Sequence, residues 1–247
     1  IVNHYQAPDD PDCDFAALLA AVNDVSGVER IRFASPHPRH ASARLIEAIR
    51  DLPRVCKHVH LPVQSGSTRI LQAMRRRHTR EDYLDLVERL RTAVPGIAIS
   101  TDMIVGFPGE TEDDFRETMT LTELVGFSSM FSFKYSERPN TLASKRLKDD
   151  VPEDAKGRRL SELQALQRRI QWSLHSDAVG RVLDVLIDSR SRRNASELAG
   201  RTTGNVVVNL PGEPEWLGRT VPVRIARAGP NSLWGEAALD STVDIPR

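Results

Sequence analysis

The chain has 247 residues, of which 40% are hydrophobic and 28% are charged, as in an ordinary globular protein. Its 34 basic and 34 acidic residues cancel, which excludes a strong overall attraction to nucleic acid, so any contact with RNA must come from local basic patches. No apolar run approaches the roughly 20 residues of a membrane-spanning helix, and the first residues lack the pattern of a signal peptide.

The sequence contains two cysteines, Cys13 and Cys56, which lie far apart and lack the spacing of metal ligands. This pattern is typical of reduced thiols in a cytoplasmic protein. The chain begins with Ile1 rather than methionine, and we expect that sequence preceding this position has been removed.

The first part of the chain alternates between helical and strand patterns. The spacing of apolar residues predicts a helix that begins near Thr111 and four earlier helices, over residues 14–25, 42–52, 68–74 and 80–94. Short apolar runs predict strands over residues 31–34, 55–63, 97–105 and 129–135. This alternation is typical of an α/β fold with a parallel sheet. In such folds, sites gather at the carboxyl ends of the strands, where this chain places its most polar loops.

The last third has a different character. A long amphipathic segment, residues 152–175, predicts a connecting helix. Beyond it, glycines and prolines separate short β-like runs: residues 181–187, 196–201, 205–210, 220–226 and 233–238. These runs predict a small β-barrel or sandwich. We therefore expect two domains, residues 1–175 and 176–247.

One candidate site is the stretch of residues 99–110, ISTDMIVGFPGE, where a strand enters a glycine loop. Gly106 would let the backbone approach a flat ligand. Four neighbours would flank that ligand or accept hydrogen bonds from it: Asp102, Val105, Phe107 and Glu110. On these residues alone, a plain strand-to-helix turn in which Glu110 serves the helix terminus is the favoured interpretation.

A second candidate is the stretch of residues 60–67, HLPVQSGS, at the end of another predicted strand. His60, Gln64 and the two serines offer groups that can hydrogen-bond a ribose or an amino-acid moiety. The alternative is equally good, with Ser65 or Ser67 capping the next helix and His60 satisfied in the core.

Basic side chains form two short runs, residues 75–77 and residues 190–193. Either run can neutralise phosphate, although a short basic run is more often a solvated face. The second run is the better RNA candidate because small β-barrels often present loops to oligonucleotides. Arg138, after the last strand of the first domain, can hold a carboxylate or phosphate bidentately, or form a surface ion pair.

Taken in order, these segments resemble the radical S-adenosylmethionine methylthiotransferases, and especially their tRNA-modifying branch. The likeness runs through HLPVQSGS, the segment from Met74 to Thr79, STDMIVGFPGET, YSERPNTLAS and the helix that begins VPEDAKGRRLSELQ. It continues into the tail, which is similar to the family's RNA-binding TRAM domain, through ELAGRT, NVVVNLPG, GRTVPVRI and NSLWGE. The resemblance therefore covers essentially the whole chain.

The resemblance implies a partial TIM-like barrel, with S-adenosylmethionine across the strand ends, followed by an OB-like TRAM barrel. In the intact enzyme a 4Fe–4S cluster would generate a deoxyadenosyl radical, and a methylthio group would be added to C2 of isopentenylated adenosine beside the anticodon. The cofactor contacts carried over to this chain are Gln64, Ser65, Asp102, Val105, Gly106 and Phe107. The tRNA contacts expected in the tail are Arg190, Arg192, Arg193, Arg201 and Asn205.

The chain departs from the family pattern at its cysteines. The family holds its radical cluster with CxxxCxxC, which is absent here, and Cys13 and Cys56 do not match it. We therefore expect a carboxyl-terminal part of the enzyme that cannot start radical chemistry alone. His78 and Asn140 stand where the family usually has tyrosine and glycine. The alternative functions are methylthiolation of a ribosomal protein and a non-catalytic RNA-binding module.

Overall fold

The computed structural model describes residues 2–34, 36–139, 145–191, 194 and 196–238. The chain divides into two compact units, Ile1–Ile170 and Gln171–Arg247.

The first unit is built on a parallel sheet in the order β3-β4-β5. Its strands are β3 (His58–His60), β4 (Ala98–Val105) and β5 (Ser129–Lys134), and a short antiparallel hairpin, β1 (Gln6–Ala7) and β2 (Asp10–Asp14), precedes them. The helices are α1 (Phe15–Asn23), α2 (Ala43–Asp51), α3 (Thr68–Ala73), α4 (Arg80–Ala93), α5 (Glu112–Val125) and the long α6 (Glu153–Ser176). The predicted α/β fold is confirmed.

Hydroxyl and carboxylate caps fix where these helices begin. Thr79 and Asp82 form a capping box at the start of α4, and Thr111 and Asp114 form another at the start of α5. Each box satisfies two backbone N–H groups that have no partner within the helix. Because the caps are local in sequence, the predicted helix start at Thr111 is confirmed.

The core of the first unit lies between one face of the sheet and the helices. Alternate residues of β4, including Ile99, Met103 and Val105, are buried against helical side chains such as Phe115 and Leu121. The residues between them, including Asp102, point to the opposite face. That opposite face is therefore available for polar chemistry.

Two predicted strands are shorter in the structure. The strand predicted over residues 31–34 is a single parallel bridge between Ile31 and Val55, and Pro36 and Pro38 follow it without the N–H groups that a ladder needs. The strand predicted over residues 55–63 is reduced to β3, because Pro62 interrupts the donor pattern before pairing resumes at Gln64.

The second unit is a closed five-stranded barrel in the order β10-β8-β7-β6-β9. Its strands are β6 (Val182–Arg190), β7 (Glu197–Thr202), β8 (Val207–Pro211), β9 (Thr220–Ala228) and β10 (Leu233–Ala237). A separate apolar core fills it, with Val185, Val208, Leu210 and Val223 fully buried. The small β-barrel predicted for the tail is confirmed.

Asp114 joins three segments of the first unit. Its carboxylate accepts hydrogen bonds from the Ser67 hydroxyl at 2.7 Å and from the backbone N–H of Thr111 at 2.8 Å, and it pairs with Arg69. Burial opposes ionisation, but the hydrogen bonds from Arg69, Thr111 and Ser67 outweigh it and hold the pKa of Asp114 well below its usual range. The ionised carboxylate therefore stabilises the fold at neutral pH.

We expect Asp114→Asn to lower the free energy of unfolding of the first unit by about 1–3 kcal/mol, because it removes charged hydrogen bonds from a buried group. The loss should be present at neutral pH and should shrink in acid, as the native carboxylate is protonated and its advantage disappears. Urea unfolding followed by circular dichroism at 222 nm measures this effect.

The chain offers two internal controls for this experiment. Asp113→Asn changes the neighbouring residue, whose side chain is 86% exposed and pairs with Arg116, so it should cost less than about 0.5 kcal/mol. Trp172 lies on α6, whereas Trp216 and Trp234 lie in the barrel of the second unit, so in a Trp172→Phe background the tryptophan fluorescence reports the barrel alone and its transition should not move. Equal losses for Asp113→Asn and Asp114→Asn would contradict the assigned role.

His78 is 6% exposed, and neither of its ring nitrogens has a hydrogen-bond partner among the described residues. Its ring lies 5.8 Å from that of His37 and 6.3 Å from that of Tyr83. Burial above all, with nearby His37 and Arg76, lowers the pKa of His78 to about 4. The native protein therefore holds this imidazole neutral.

Between an unfolded-state pKa of about 6.5 and the native value, the unfolded chain binds more protons at His78, so stability falls as the pH falls through this window. We expect His78→Phe to remove on the order of 1–3 kcal/mol of that loss between pH 6.5 and pH 4. Unfolding free energies across this pH range, followed at 222 nm, test the effect. An unchanged pH dependence would show that protonation of His78 does not limit stability.

Candidate functional site

A cleft of about 860 Å³ opens at the carboxyl ends of the parallel strands. Polar, aromatic and basic side chains line it: Gln64, Ala73, Met74, Arg75, Arg76, Asp102, Ile104, Phe107, Phe133, Lys134, Tyr135, Ser136, Arg138, Arg146 and Leu147. Its size is that of a small-molecule site, and its place at the strand ends is the usual one for a parallel sheet. The cleft is the candidate site.

Gln64 lines the cleft and is hydrogen-bonded to β4 through both of its backbone groups. Its backbone N–H donates to the Asp102 carbonyl at 3.0 Å, and its own carbonyl accepts from the N–H of Ile104 at 2.9 Å. The residue has a φ of 79°, in the left-handed region that favours glycine. Such strain in a residue with a side chain often marks a functional site.

A chain of polar side chains leads to the carboxylate of Asp102. The Ser100 hydroxyl lies 3.0 Å from His58 Nε2 and 2.9 Å from His60 Nδ1, and His60 Nε2 lies 3.4 Å from Asp102 Oδ1. Burial, followed by the charge of Arg32 and the neighbouring His60, lowers the pKa of His58 to about 4, so this imidazole is neutral at pH 7. These contacts orient Asp102, which can accept hydrogen bonds in the cleft.

Aromatic rings form the apolar part of the cleft. Phe107 and Tyr135 meet edge to face with ring centroids 5.1 Å apart, and Phe133 lies beside them on β5 with 53% of its surface exposed. Together, the edge-to-face pair and the exposed ring of Phe133 provide an apolar surface. The cleft can therefore hold a ligand that has both a planar ring and polar groups.

Gly106 makes room for helix α6 rather than for a ligand. A Cβ atom on this residue would lie 2.3 Å from Cγ of Lys156, and its φ of +72° also favours glycine. Its N–H donates to Oε1 of Glu110 at 2.8 Å, and Arg159 donates to the same oxygen at 2.9 Å. Burial raises the pKa of Glu110, against the pull of Gly106 and Arg159 towards the ionised form. Glu110 thus ties the loop to α6.

The structure places the six residues expected to contact the cofactor in two groups. Gln64, Asp102 and Phe107 line the cleft. Ser65 is fully buried beside Thr118, and the remaining two residues, Val105 and Gly106, are also buried outside the cleft lining. The first group contributes to the cleft surface, whereas the second lies in the buried scaffold behind it.

Several residues that line this cleft were not predicted to belong to a common site. Arg75 and Arg76 belong to a basic run that the sequence offered only as a general phosphate contact. Arg146 and Leu147 had no sequence signal, because they come back to the strand ends from well beyond β5.

Two of the five residues expected to bind RNA, Arg192 and Arg193, lie outside the described residues. Arg190 is exposed at the end of β6. Arg201, also exposed, donates to the Asn205 side chain at 3.2 Å and lies 3.7 Å from the Asp188 carboxylate. Asn205 has a φ of 68° in the turn between β7 and β8. Arg201 and Asn205 therefore form one polar group on the barrel surface.

No metal centre is present within the described residues. No three side chains of histidine, cysteine, aspartate or glutamate in this part of the chain come together in a way that could hold an ion. Cys56 is buried and Cys13 is half-buried, and neither forms a disulfide. Among the described helices, none is long and apolar enough to cross a membrane.

Comparison with known proteins gives two family matches. Residues 5–122 match the Radical SAM superfamily model, and residues 177–238 match the TRAM domain. Both matches agree with the resemblance drawn from the motifs.

Curated relatives cover almost all of this chain. It is 46% identical over 235 residues to the tRNA-2-methylthio-N(6)-dimethylallyladenosine synthase of Syntrophotalea carbinolica, covering 95% of this chain and 53% of the relative. It is 48% identical over 241 residues to the protein of the same name in Alkalilimnicola ehrlichii, with the same coverage. The chain thus spans about half the length of these relatives.

Among solved structures, the chain overlays with the coproporphyrinogen III oxidase of Escherichia coli, described as a radical SAM enzyme. The TM-score is 0.47 at 15% identity, over 83% of this chain and 50% of that chain. The assignment does not depend on this distant likeness. The matches show that the chain carries a Radical SAM domain followed by a TRAM domain, and that over almost its whole length it is similar to about half of the tRNA-2-methylthio-N(6)-dimethylallyladenosine synthases named above.

Proposed function

We propose that this chain supplies part of the S-adenosylmethionine site and the RNA-binding barrel of a tRNA methylthiotransferase acting on isopentenylated adenosine. The observation that carries the proposal is the cleft at the strand ends, which Gln64 and Asp102 line together with the rings of Phe107 and Tyr135. Support also comes from relatives whose names specify tRNA, which favours tRNA over a ribosomal protein as the substrate. Such a role would place the protein in the cytoplasm.

The residues of the cleft fit S-adenosylmethionine. When bound, this cofactor supplies the methyl group of the methylthio substituent. The Asp102 carboxylate can accept hydrogen bonds from its ribose hydroxyls or its ammonium group, and the Gln64 amide can donate and accept. Phe107 and Tyr135 offer an apolar surface for the adenine ring. These side chains would bind and orient the cofactor.

The residues of this chain do not fit an iron–sulfur cluster. The sequence has only Cys13 and Cys56, which is fewer than the three thiolates of CxxxCxxC. We therefore assign no chemical step to a cluster held by this chain. The residues of this chain support binding of the cofactor and binding of RNA.

The barrel supports the proposed RNA contact through its exposed basic side chains. Arg190 and Arg201 lie on its surface, and Arg201 is oriented by Asn205. Together with Arg192 and Arg193, they would neutralise backbone phosphates, which accounts for most of the affinity of such interfaces. A chain without net charge would thus bind RNA through a local patch.

We expect Asp102→Asn to weaken S-adenosylmethionine binding by about 10-fold or more, because a charged hydrogen-bond acceptor is worth about 1.5–3 kcal/mol. Isothermal titration calorimetry on the full chain measures the dissociation constant. The matched control is Asp85→Asn on α4, whose carboxylate forms an exposed ion pair with Arg89 and should leave binding unchanged. Equal affinities in the two variants would remove Asp102 from the cofactor site.

Changing Arg190, Arg192 and Arg193 together to alanine should weaken tRNA binding and reduce the slope of log K against log salt by up to about 0.9 for each phosphate that is no longer neutralised. Filter binding at several salt concentrations gives both quantities. A control with the same change of charge replaces three exposed arginines of the first unit, Arg116, Arg168 and Arg169. If both triple variants bind tRNA with the same salt slope, the barrel run is not the RNA contact.

A further inference from the structure

The cleft at the strand ends is strongly basic although the chain has no net charge. Its described lining contains one carboxylate, that of Asp102, and five cationic side chains: Arg75, Arg76, Lys134, Arg138 and Arg146. S-adenosylmethionine carries a sulfonium and an ammonium group against one carboxylate, so it is itself cationic. The excess positive charge therefore calls for a second, anionic ligand.

Arg75 occupies a backbone position that normally belongs to glycine. Helix α3 ends in a Schellman motif, in which the N–H of Arg75 donates to the Gln72 carbonyl at 2.9 Å and the N–H of Arg76 donates to the Leu71 carbonyl at 2.8 Å. This motif places Arg75 at a φ of 57°, which glycine adopts freely and a residue with a Cβ adopts at a cost. The protein thus gives up stability to have a side chain here.

Two of the five cations have no ionic partner in the described part of the chain. No described carboxylate lies within ion-pair distance of Arg75 or Arg146, and both are exposed at the cleft. By contrast, Lys134 pairs with Glu153, and the charge of Asp102 acts on Arg76. Arg75 follows α3 and Arg146 follows β5, so two separate segments bring their guanidinium groups to one cleft.

We propose that Arg75 and Arg146 bind a backbone phosphate of the RNA substrate at the cleft, so that the first unit grips the RNA as well as the barrel. The proposal rests on the function proposed above and adds a phosphate site to it. Guanidinium groups suit this task because they present two parallel N–H donors to phosphate oxygens. Phe133, an exposed ring of the same cleft that the cofactor assignment does not use, would stack on a base beside that phosphate.

Because the left-handed backbone of Arg75 costs stability, replacing this residue with glycine should change stability and RNA affinity in opposite directions. Arg75→Gly should raise the midpoint of urea unfolding of the first unit, followed at 222 nm, because glycine relieves the left-handed strain. The same change should weaken binding of a stem–loop RNA that contains one N6-dimethylallyladenosine by about 3–10-fold at low salt. The double variant Arg75→Gly, Arg146→Gln should lower the slope of log K against log salt by up to about 0.9 for each phosphate released. Arg75→Lys should retain most of the affinity.

The matched control is Arg77→Gly, two residues away. Arg77 is exposed, lies outside the cleft lining and has no left-handed backbone. This control should lose stability and keep RNA affinity. If Arg75→Gly binds the RNA as tightly as Arg77→Gly does, the phosphate site is overturned.

A second pair of measurements distinguishes RNA phosphate from the cofactor carboxylate as the bound anion. The phosphate on either side of the N6-dimethylallyladenosine is replaced with a neutral methylphosphonate. This change in the RNA should weaken its binding to the wild-type protein and have no further effect on its binding to the double variant. S-adenosylmethionine affinity should be equal in both proteins, and a loss of that affinity instead would overturn the proposal. An unmodified chain that bound cofactor but no RNA would overturn the proposed tRNA function together with this site.

Discussion

The cleft depends on the buried ion pair between Glu110 and Arg159. The side chains of these residues are 1% and 6% exposed, so both charges are removed from water, and the pair is tolerable only because further hydrogen bonds support it. Oε1 of Glu110 accepts from Gly106 as well as from Arg159. The pair thereby fixes the loop after β4, including Phe107, against α6.

The close approach of α6 also requires a glycine in the loop after β4. Lys156 lies where a side chain at position 106 would be, and its ammonium group is 2.7 Å from Oδ1 of Asp149. Gly106 therefore allows α6, which carries both Lys156 and Arg159, to pack against the loop. Because the loop is held from outside the sheet, its inner surface is left to line the cleft.

Local signals predicted much of this arrangement. The start of α5 followed from a threonine three residues before an aspartate, and the place of the cleft followed from strand and helix alternation. The ion pair between Glu110 and Arg159 could not be predicted from local signals, because Arg159 lies on a helix that is distant in sequence. Neither sequence interpretation of Glu110 is its actual contact, since its carboxylate binds α6 rather than a cleft ligand or the first turn of α5.

A left-handed backbone marks two residues whose side chains line the cleft. Among the described residues, three that are not glycine have a positive φ: Gln64, Arg75 and Asn205. Gln64 and Arg75 line the cleft from opposite ends of the segment that contains α3, and Asn205 orients Arg201 on the barrel. Glycine would satisfy each backbone at lower cost, so what the protein retains at these positions is the side chain. In the cleft, one of these side chains is a neutral amide beside Asp102 and the other is a cation on the far side of α3. The proposed cofactor would then lie beside Asp102 and the proposed RNA phosphate beside Arg75, at the two ends of the segment that contains α3.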